Sequence, residues 1–368
     1  MEVVGYVALT IFALYFFCIL WLFHLILSNI SKQAFAKSWG QLTLFASLTT
    51  LSFAHTWYYM FKFMQWSFVN YEESIYPNTS APLIERMAQW LVNTQLFKQA
   101  WYAVCDGPLN WWWSEQLCLF TVGCWTVILA SEGTYHRVEH VWAYMLLGQL
   151  VAISVASNLF YIAILSSPIP REAAKQSSSR APATLWVSVL LALATVGLSP
   201  YTTSRTFLPN LLVMHALLVV PLLPPSLLPY VTHQQRPIRV RTLYGLVLFV
   251  SFAIRTHTIL EGGKVVGSGS PFGLFSAAWD VLYSHPAQSS IGWDVIWTTV
   301  SFIAWTATKR ISDDRALSDV PYLMLTSPFV SVALTGPYIL REETGSALFE
   351  ATSAVEKKVM VDEERKED

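Results

Sequence analysis

Long apolar runs alternate with short polar segments along this chain, and their lengths set the first expectation. Runs cover residues 4–27, 41–63, 112–131, 140–166, 182–199, 207–230, 242–260, 291–308 and 320–340. Each approaches or exceeds the roughly 17–25 residues that carry a helix across a bilayer. The pattern predicts an all-α, polytopic integral membrane helical bundle of about 8–9 transmembrane helices, occupying residues 1–341 as one unit. Run 4–27 is too long for a signal-peptide core and has no basic leader, so it reads as a retained span. Pro221, Pro224, Pro225 and Pro229 interrupt 207–230 and predict a kinked or non-helical second half. A different pattern occupies 83–104, where Leu83, Met87, Trp90, Leu91, Leu96, Phe97 and Trp101 recur at helical spacing. That stretch predicts an interfacial amphipathic helix. Residues 342–368 are charged and read as a solvent-exposed tail.

Composition strengthens the membrane reading. The chain has 368 residues, is 54% hydrophobic and only 13% charged, whereas soluble domains are about 25% charged. Its net charge of −1 points to no nucleic acid, and no protein partner is inferred. The partners expected are the lipid bilayer, with the endoplasmic reticulum as default, and a lipophilic small molecule. Trp111-Trp112-Trp113 reads as an aromatic anchor at a membrane boundary. Cys18, Cys105, Cys118 and Cys124 lack metal-ligand spacing and read as packing residues.

Orientation cues conflict. With nine spans, the even-numbered connections hold twelve basic residues and the odd ones five, which assigns the even ones to the cytosol. The C-terminus is then lumenal, although Arg365-Lys366 resembles a cytosolic retrieval signal, and the Asn78-Thr79-Ser80 sequon goes unused. In either orientation, nine spans gather the third, fifth and seventh connections on one face. Glu132, Glu139, Asp280 and Asp294 then converge there, with Glu115 on the opposite side, about 25 Å from Glu132.

Ionisable groups inside a bundle are costly and generally face its interior, paired or functional. A dry site favours an un-ionised carboxyl, which can act as a general acid. Glu132, Glu139 and Asp294 are the catalytic candidates; His140 or His136 can orient one carboxyl and Arg137 can hold another ionised. Trp142, Tyr144 and Trp293 flank the acids as candidate substrate-binding walls, with Gln149, Asn158 and Asp280 as polar contacts. Headgroup-level ion pairing is the plain alternative for each acid. His24, His55 and His215 read as packed core histidines, and Arg255, His257 and Glu261, within two turns of one helix end, read as an intrahelical pair with snorkelling. No glycine-rich phosphate loop, HExxH or GxSxG motif occurs, and no aspartate-rich cluster for a magnesium diphosphate. No metal or cofactor is expected.

Two stretches, EGTYHRVEHVWAYMLLGQLVAISVASNLF (132–160) and SPFGLFSAAWDVLYSHPAQSSIGWDVIWTTVSF (270–302), carry a family resemblance. The chain resembles the fungal membrane-bound terpene cyclases of the ascochlorin, ascofuranone and macrophorin pathways. That resemblance implies a metal-independent cyclase of meroterpenoid secondary metabolism, which protonates an epoxide or alkene of a farnesylated aromatic substrate. It implies acid roles for intramembrane carboxylates; Glu132, Glu139 and Asp294 lie in its motifs, and the donor among them stays open. A proton-coupled transporter and a sterol isomerase-like enzyme are the alternatives.

Overall fold

The computed structural model describes residues 2–30, 39–75, 81–167, 179–224, 236–267, 270–312 and 317–344. Most of the expected tail, the Asn78 sequon, and Pro225 and Pro229 lie outside those residues. Helix dominates; the described strands are β1 (Arg180–Ala181) and β2 (Ile238–Arg239), paired antiparallel with Arg180 opposite Arg239. The helices are α1 (Val3–Ser28), α2 (Trp39–Ile75), α3 (Leu83–Thr94), α4 (Leu96–Cys105) and α5 (Pro108–His136). There follow α6 (Val141–Leu150), α7 (Ile153–Ser166), α8 (Ala183–Leu198), α9 (Phe207–Val219) and α10 (Val240–Val266). The last are α11 (Pro271–Leu282), α12 (Pro286–Ser312), α13 (Asp319–Val330) and α14 (332–344).

Four helical segments are long and apolar enough to cross a membrane: Val3–Ser28, Pro108–His136, Ala183–Tyr201 and Val240–Val266. The second is mostly buried, so α5 is the axis of the bundle rather than a lipid-facing wall. It contains a π-helical segment, Phe120–Trp125, in which Thr126 Oγ1 reaches back to the Thr121 carbonyl at 2.7 Å. Such an insertion widens the helix locally and often marks a functional position. Trp111, Trp112 and Trp113 are buried in the core, so they pack inside the bundle and do not form an aromatic anchor on its surface. Trp113 Nε1 donates to the Ala278 carbonyl at 2.8 Å, which ties α5 to α11.

α5 and α12 run parallel. Trp113 near the start of α5 packs by Gly292 near the start of α12, and at the other end Lys309 Nζ lies 3.2 Å from Glu132 Oε1. The end where both helices begin is termed proximal, and the end where both finish distal. α2 runs opposite to α12, with Ser290 Oγ donating to the Thr56 carbonyl and Gln41 Nε2 to Ser312 Oγ.

The run expected to form one span at 140–166 is a hairpin of two short helices, α6 and α7, broken at Val151 and Ala152. Their 10 and 14 residues rise about 15 and 21 Å, less than the roughly 30 Å apolar thickness of a bilayer. Tyr144 packs on Phe160 across the pair, so α6 descends and α7 returns to the distal end. At 320–340 the chain repeats this construction. α13 and α14 fold back on each other with Tyr322 near Tyr338, and Glu343 returns to Lys309 at 3.1 Å. Hydropathy reports apolar length and not continuity, so both breaks were invisible to it. The amphipathic stretch 83–104 is likewise two helices, α3 and α4, with Gln95 left-handed (φ 49°) between them.

Candidate functional site

A broken helix inside a bundle exposes backbone groups that must find partners. At the first hairpin they come from distant residues. Asp294, the ninth residue of α12, accepts the Ile153 N–H on Oδ2 and the Ser154 N–H on Oδ1, both at 2.9 Å. It caps the start of α7 from 140 residues away, where the helix dipole favours a carboxylate oxygen. Thr298 Oγ1 lies 3.4 Å from Oδ1. The Tyr15 hydroxyl donates to the Leu150 carbonyl at 2.7 Å and closes the end of α6. Gln149 Nε2 donates to the His215 carbonyl at 3.3 Å, tying the hairpin to α9. Gly148 faces Ile153 and Ala156 so closely that an added Cβ would lie 2.8 Å from Ile153 Cδ1. The two arms meet there because no side chain intervenes.

Beneath the hairpin tip lies a cavity of about 920 Å³, near the top of the range for small-molecule sites. The tip (Gly148–Ile153) closes its distal side and the α3–α4 elbow its proximal side; α1, α2, α5, α9 and α12 form the walls. Phe12, Tyr15, Phe63, Phe97 and Trp101 give it an aromatic lining with leucines and methionines between them. Asp294 is the sole carboxylate among the described lining residues; Gln149, His215 and Lys98 are among the polar groups beside it, with hydroxyls such as those of Ser114 and Ser290. Ile11 on α1 and Leu212 on α9 line the cavity and are also 56% and 51% exposed. The cavity therefore reaches the outer surface of the bundle between α1 and α9.

The sequence-predicted residues separate. Asp294 and Gln149 line the cavity. Glu132 does not: it joins His136, Lys309 and Glu343 in a half-buried ion cluster at the distal end, extended by Arg310 and Asp319. Arg137, Glu139 and His140 occupy the exposed turn between α5 and α6, where Arg137 and His140 adopt positive φ. Trp142 stacks near Trp21 on the flank of the first hairpin, and Tyr144 is buried between its arms. Asn158 is fully buried farther up α7. Trp293 sits over the His55 ring at 4.1 Å, on the α2 side of α12. Asp280 is exposed on α11. The acids do not converge on one face: Glu132 is distal, whereas Asp294 sits toward the proximal half beside the cavity. The error came from treating 140–166 as a crossing, since a hairpin returns the chain to the face it left.

Another ionic feature differs from expectation. Arg255 pairs with Glu115 on α5 at 2.8 Å and not with Glu261, and the two side chains are 1% and 0% exposed. The guanidinium lies 3.9 Å from the centre of the Trp112 ring and donates to the Trp112 carbonyl. Glu261 instead pairs with Lys264 at 2.6 Å and lies near His257. Tyr15 and Lys98, which no sequence pattern singles out, line the cavity, as do Trp101 from the amphipathic stretch and His215, expected only to pack. His215 Nδ1 contacts the Leu211 carbonyl at 2.8 Å, and its ring leans on Trp101. Only a polar atom in an otherwise apolar run marked Tyr15 and His215, too weak a signal without their neighbours. Among the described residues no group of three His, Cys, Asp or Glu side chains is arranged to hold a metal ion.

No family model matches the chain, and neither a curated protein nor a solved structure matches it.

Proposed function

We propose that the chain is a multi-pass membrane terpene cyclase that protonates a prenylated, lipophilic substrate in the cavity beneath the first hairpin. The observation that carries this reading is a single carboxylate, Asp294, in the wall of an apolar, aromatic-lined cavity that reaches the outer surface of the bundle between α1 and α9. A prenyl chain partitions into the bilayer and can enter between α1 and α9 without passing through water. Asp294 delivers a proton to the terminal epoxide or alkene, the polyene closes, and the resulting cation is quenched by an internal oxygen or by loss of a proton. The proton lost balances the one added, so the reaction is an isomerisation without co-reactant. Aromatic walls stabilise the cation by up to about 2 kcal/mol per well-placed ring and exclude water that would trap it. The resemblance of 132–160 and 270–302 to fungal meroterpenoid cyclases points the same way.

The topology we infer is seven crossings, by α1, α2, α5, α8, α9, α10 and α12, with both hairpins entering from the distal side. Distal helix ends and their connections then carry thirteen basic residues: Lys32, Lys37, Arg137, Arg171, Lys175, Arg180, Arg236, Arg239, Arg241, Lys309, Arg310, Arg315 and Arg341. Proximal ones carry five: Lys62, Arg86, Lys98, Arg205 and Lys264. This bias makes the distal side cytosolic. The segment after α14 leaves from that side, and the connection containing Asn78 joins proximal ends. The retrieval-like and glycosylation cues that conflict under nine spans agree under seven and favour an endoplasmic reticulum membrane.

A second reading, a proton-coupled carrier, draws on the broken helices at a central cavity, a construction carriers use to bind cargo. Microsomes supplied with an epoxyfarnesyl phenol, a non-oxidised prenyl phenol and a sterol alkene separate the readings. Cyclised prenyl phenol supports the cyclase, and a shifted sterol double bond supports an isomerase. No product from any of the three, with pH-driven solute flux in vesicles, supports the carrier.

A further inference from the structure

α7 and α12 meet along a seam whose polar groups the hairpin geometry leaves unexplained. Successive turns of α12 present Asp294, Thr298, Ser301 and Trp305, and α7 presents Ser154, Asn158 and Tyr161. The Asp294 bond to the Ser154 N–H fixes the register at one end, and the parallel stacking of Tyr161 on Trp305 at 4.6 Å fixes it at the other. Ser154, Asn158, Tyr161 and Ser301 are fully buried. Both amide atoms of Asn158, the Tyr161 hydroxyl and Ser301 Oγ have no hydrogen-bond partner among the described residues, while the Ser154 hydroxyl lies beside the Asp294 carboxylate. Four such atoms along one interface exceed what a packed apolar contact tolerates, because buried polar groups are almost always bonded to protein or to ordered water.

The polar trail continues distally. The Tyr161 hydroxyl lies within electrostatic range of the Cys124 thiol in the π-helical segment of α5. Cys124 is also in range of the Tyr244 hydroxyl, which is paired with the Ser131 side chain and lies in the field of Glu132 and Glu343. Glu132 and Glu343 hold Lys309 in the half-buried distal cluster. Asp294 and Lys309 are fifteen residues apart on α12, about 22 Å.

We propose that a file of ordered water molecules fills the α7–α12 seam and conducts protons between the distal Glu132–Lys309–Glu343 cluster and Asp294. This rests on the reading of Asp294 as the acid. The final proton leaves from a different atom of the substrate than the one that received the first. The His215 ring, whose Nδ1 is held by the Leu211 carbonyl, is the acceptor in the cavity wall that takes it and passes it to water at the cavity mouth. Asp294 therefore ends each cycle deprotonated in an apolar cavity. The file returns a proton by relay: each water accepts one from its distal neighbour and passes one on, and the cluster exchanges with bulk water. Asn158, with a donor and an acceptor at mid-seam, is the positioning residue of that file.

Hydroxyl-radical footprinting of the detergent-solubilised full chain tests the seam, because radicals form where water is held. In wild type, Tyr161 and Cys124 should oxidise at least fivefold faster than the equally buried Phe120, after correction for intrinsic reactivity. An Asn158→Leu/Ser301→Val variant should reduce Tyr161 labelling to the Phe120 level. Its sustained turnover of the prenyl substrate should fall at least tenfold while the first turnover stays within twofold of wild type. Wild-type labelling of Tyr161 no faster than that of Phe120 overturns the proposal, as does undiminished sustained turnover in a variant whose footprint shows the seam dry. The wild-type footprint does not depend on the variant's folding. Complete absence of cyclisation by wild type defeats the acid role of Asp294 and leaves hydration of the seam to the footprint alone.

Discussion

Two helical hairpins enter this bundle from the same end, and they complete their tips by different means. The α13–α14 hairpin uses its own residues: Ser327 and Thr335 share a hydrogen bond of 2.9 Å across the break, and Ser331 Oγ accepts the Ala333 N–H. Its outer face leaves Leu325 and Phe329 exposed. The α6–α7 hairpin is surrounded, with α7 buried over almost its whole length. Its tip is completed by Asp294 from α12 and Tyr15 from α1. A peripheral hairpin can stabilise its own ends locally. A central one that recruits a carboxylate for the same task places an acid at the wall of a cavity. In the first hairpin the capping group is also the carboxylate of the cavity wall, and the second hairpin has no equivalent among the described residues.

The comparison breaks most directly at its charged group. Asp294→Asn should lower product formation by about 10²–10⁴-fold, the usual worth of a positioned general acid. Thr335→Val, at the other tip, should leave turnover within twofold; both are read from product yield per milligram of accumulated protein. Next in size is the buried ion pair outside both hairpins. Glu115→Gln strands the Arg255 guanidinium and should cost about 3–5 kcal/mol, seen as a fall in thermal midpoint far larger than that of Thr335→Val. If the two variants melt together, the pair contributes nothing beyond an ordinary hydrogen bond. Tyr15→Phe removes one neutral bond from the first tip and should cost about 1 kcal/mol, with a raised KM because the tip that this bond holds is part of the cavity wall.

The smallest expected effect concerns pH. His285 precedes α12, its ring set against Trp66 and its Nδ1 accepting the Ala287 N–H at 3.2 Å. Burial holds its pKa below the ordinary histidine value. The unfolded chain therefore binds a proton near pH 6.5 that the folded protein resists. This contribution is complete above that pH and is lost as pH falls toward the depressed value. The thermal midpoint should drop between pH 7.5 and 5.5, and less so in His285→Asn.

Much of the fold was legible in the apolar runs, because run length and helical period follow from the bilayer's thickness and the helix rise. The helical class and the amphipathic 83–104 stretch both came from that source. The two hairpins did not, since LLGQLVAISVAS contains no proline and its break is held by Asp294 and Tyr15, each more than 130 residues distant. That one misreading inverted the sidedness of Glu132 relative to Asp294 and produced an apparent convergence of acids. Asp294 itself was legible as a carboxylate set within an apolar run. Of Arg255, His257 and Glu261, the helical spacing accounts for the His257–Glu261 contact, while the partner of Arg255, Glu115, is 140 residues away.

Turnover of an epoxyfarnesyl phenol by Asp294→Asn and Glu132→Gln, measured side by side in membranes with equal amounts of folded protein, tests the central claim most directly. The account predicts that Asp294→Asn loses at least 100-fold while Glu132→Gln, placed at the distal end of the proton path, retains the first turnover within threefold. Full activity in Asp294→Asn, or a first turnover abolished only in Glu132→Gln, would contradict it.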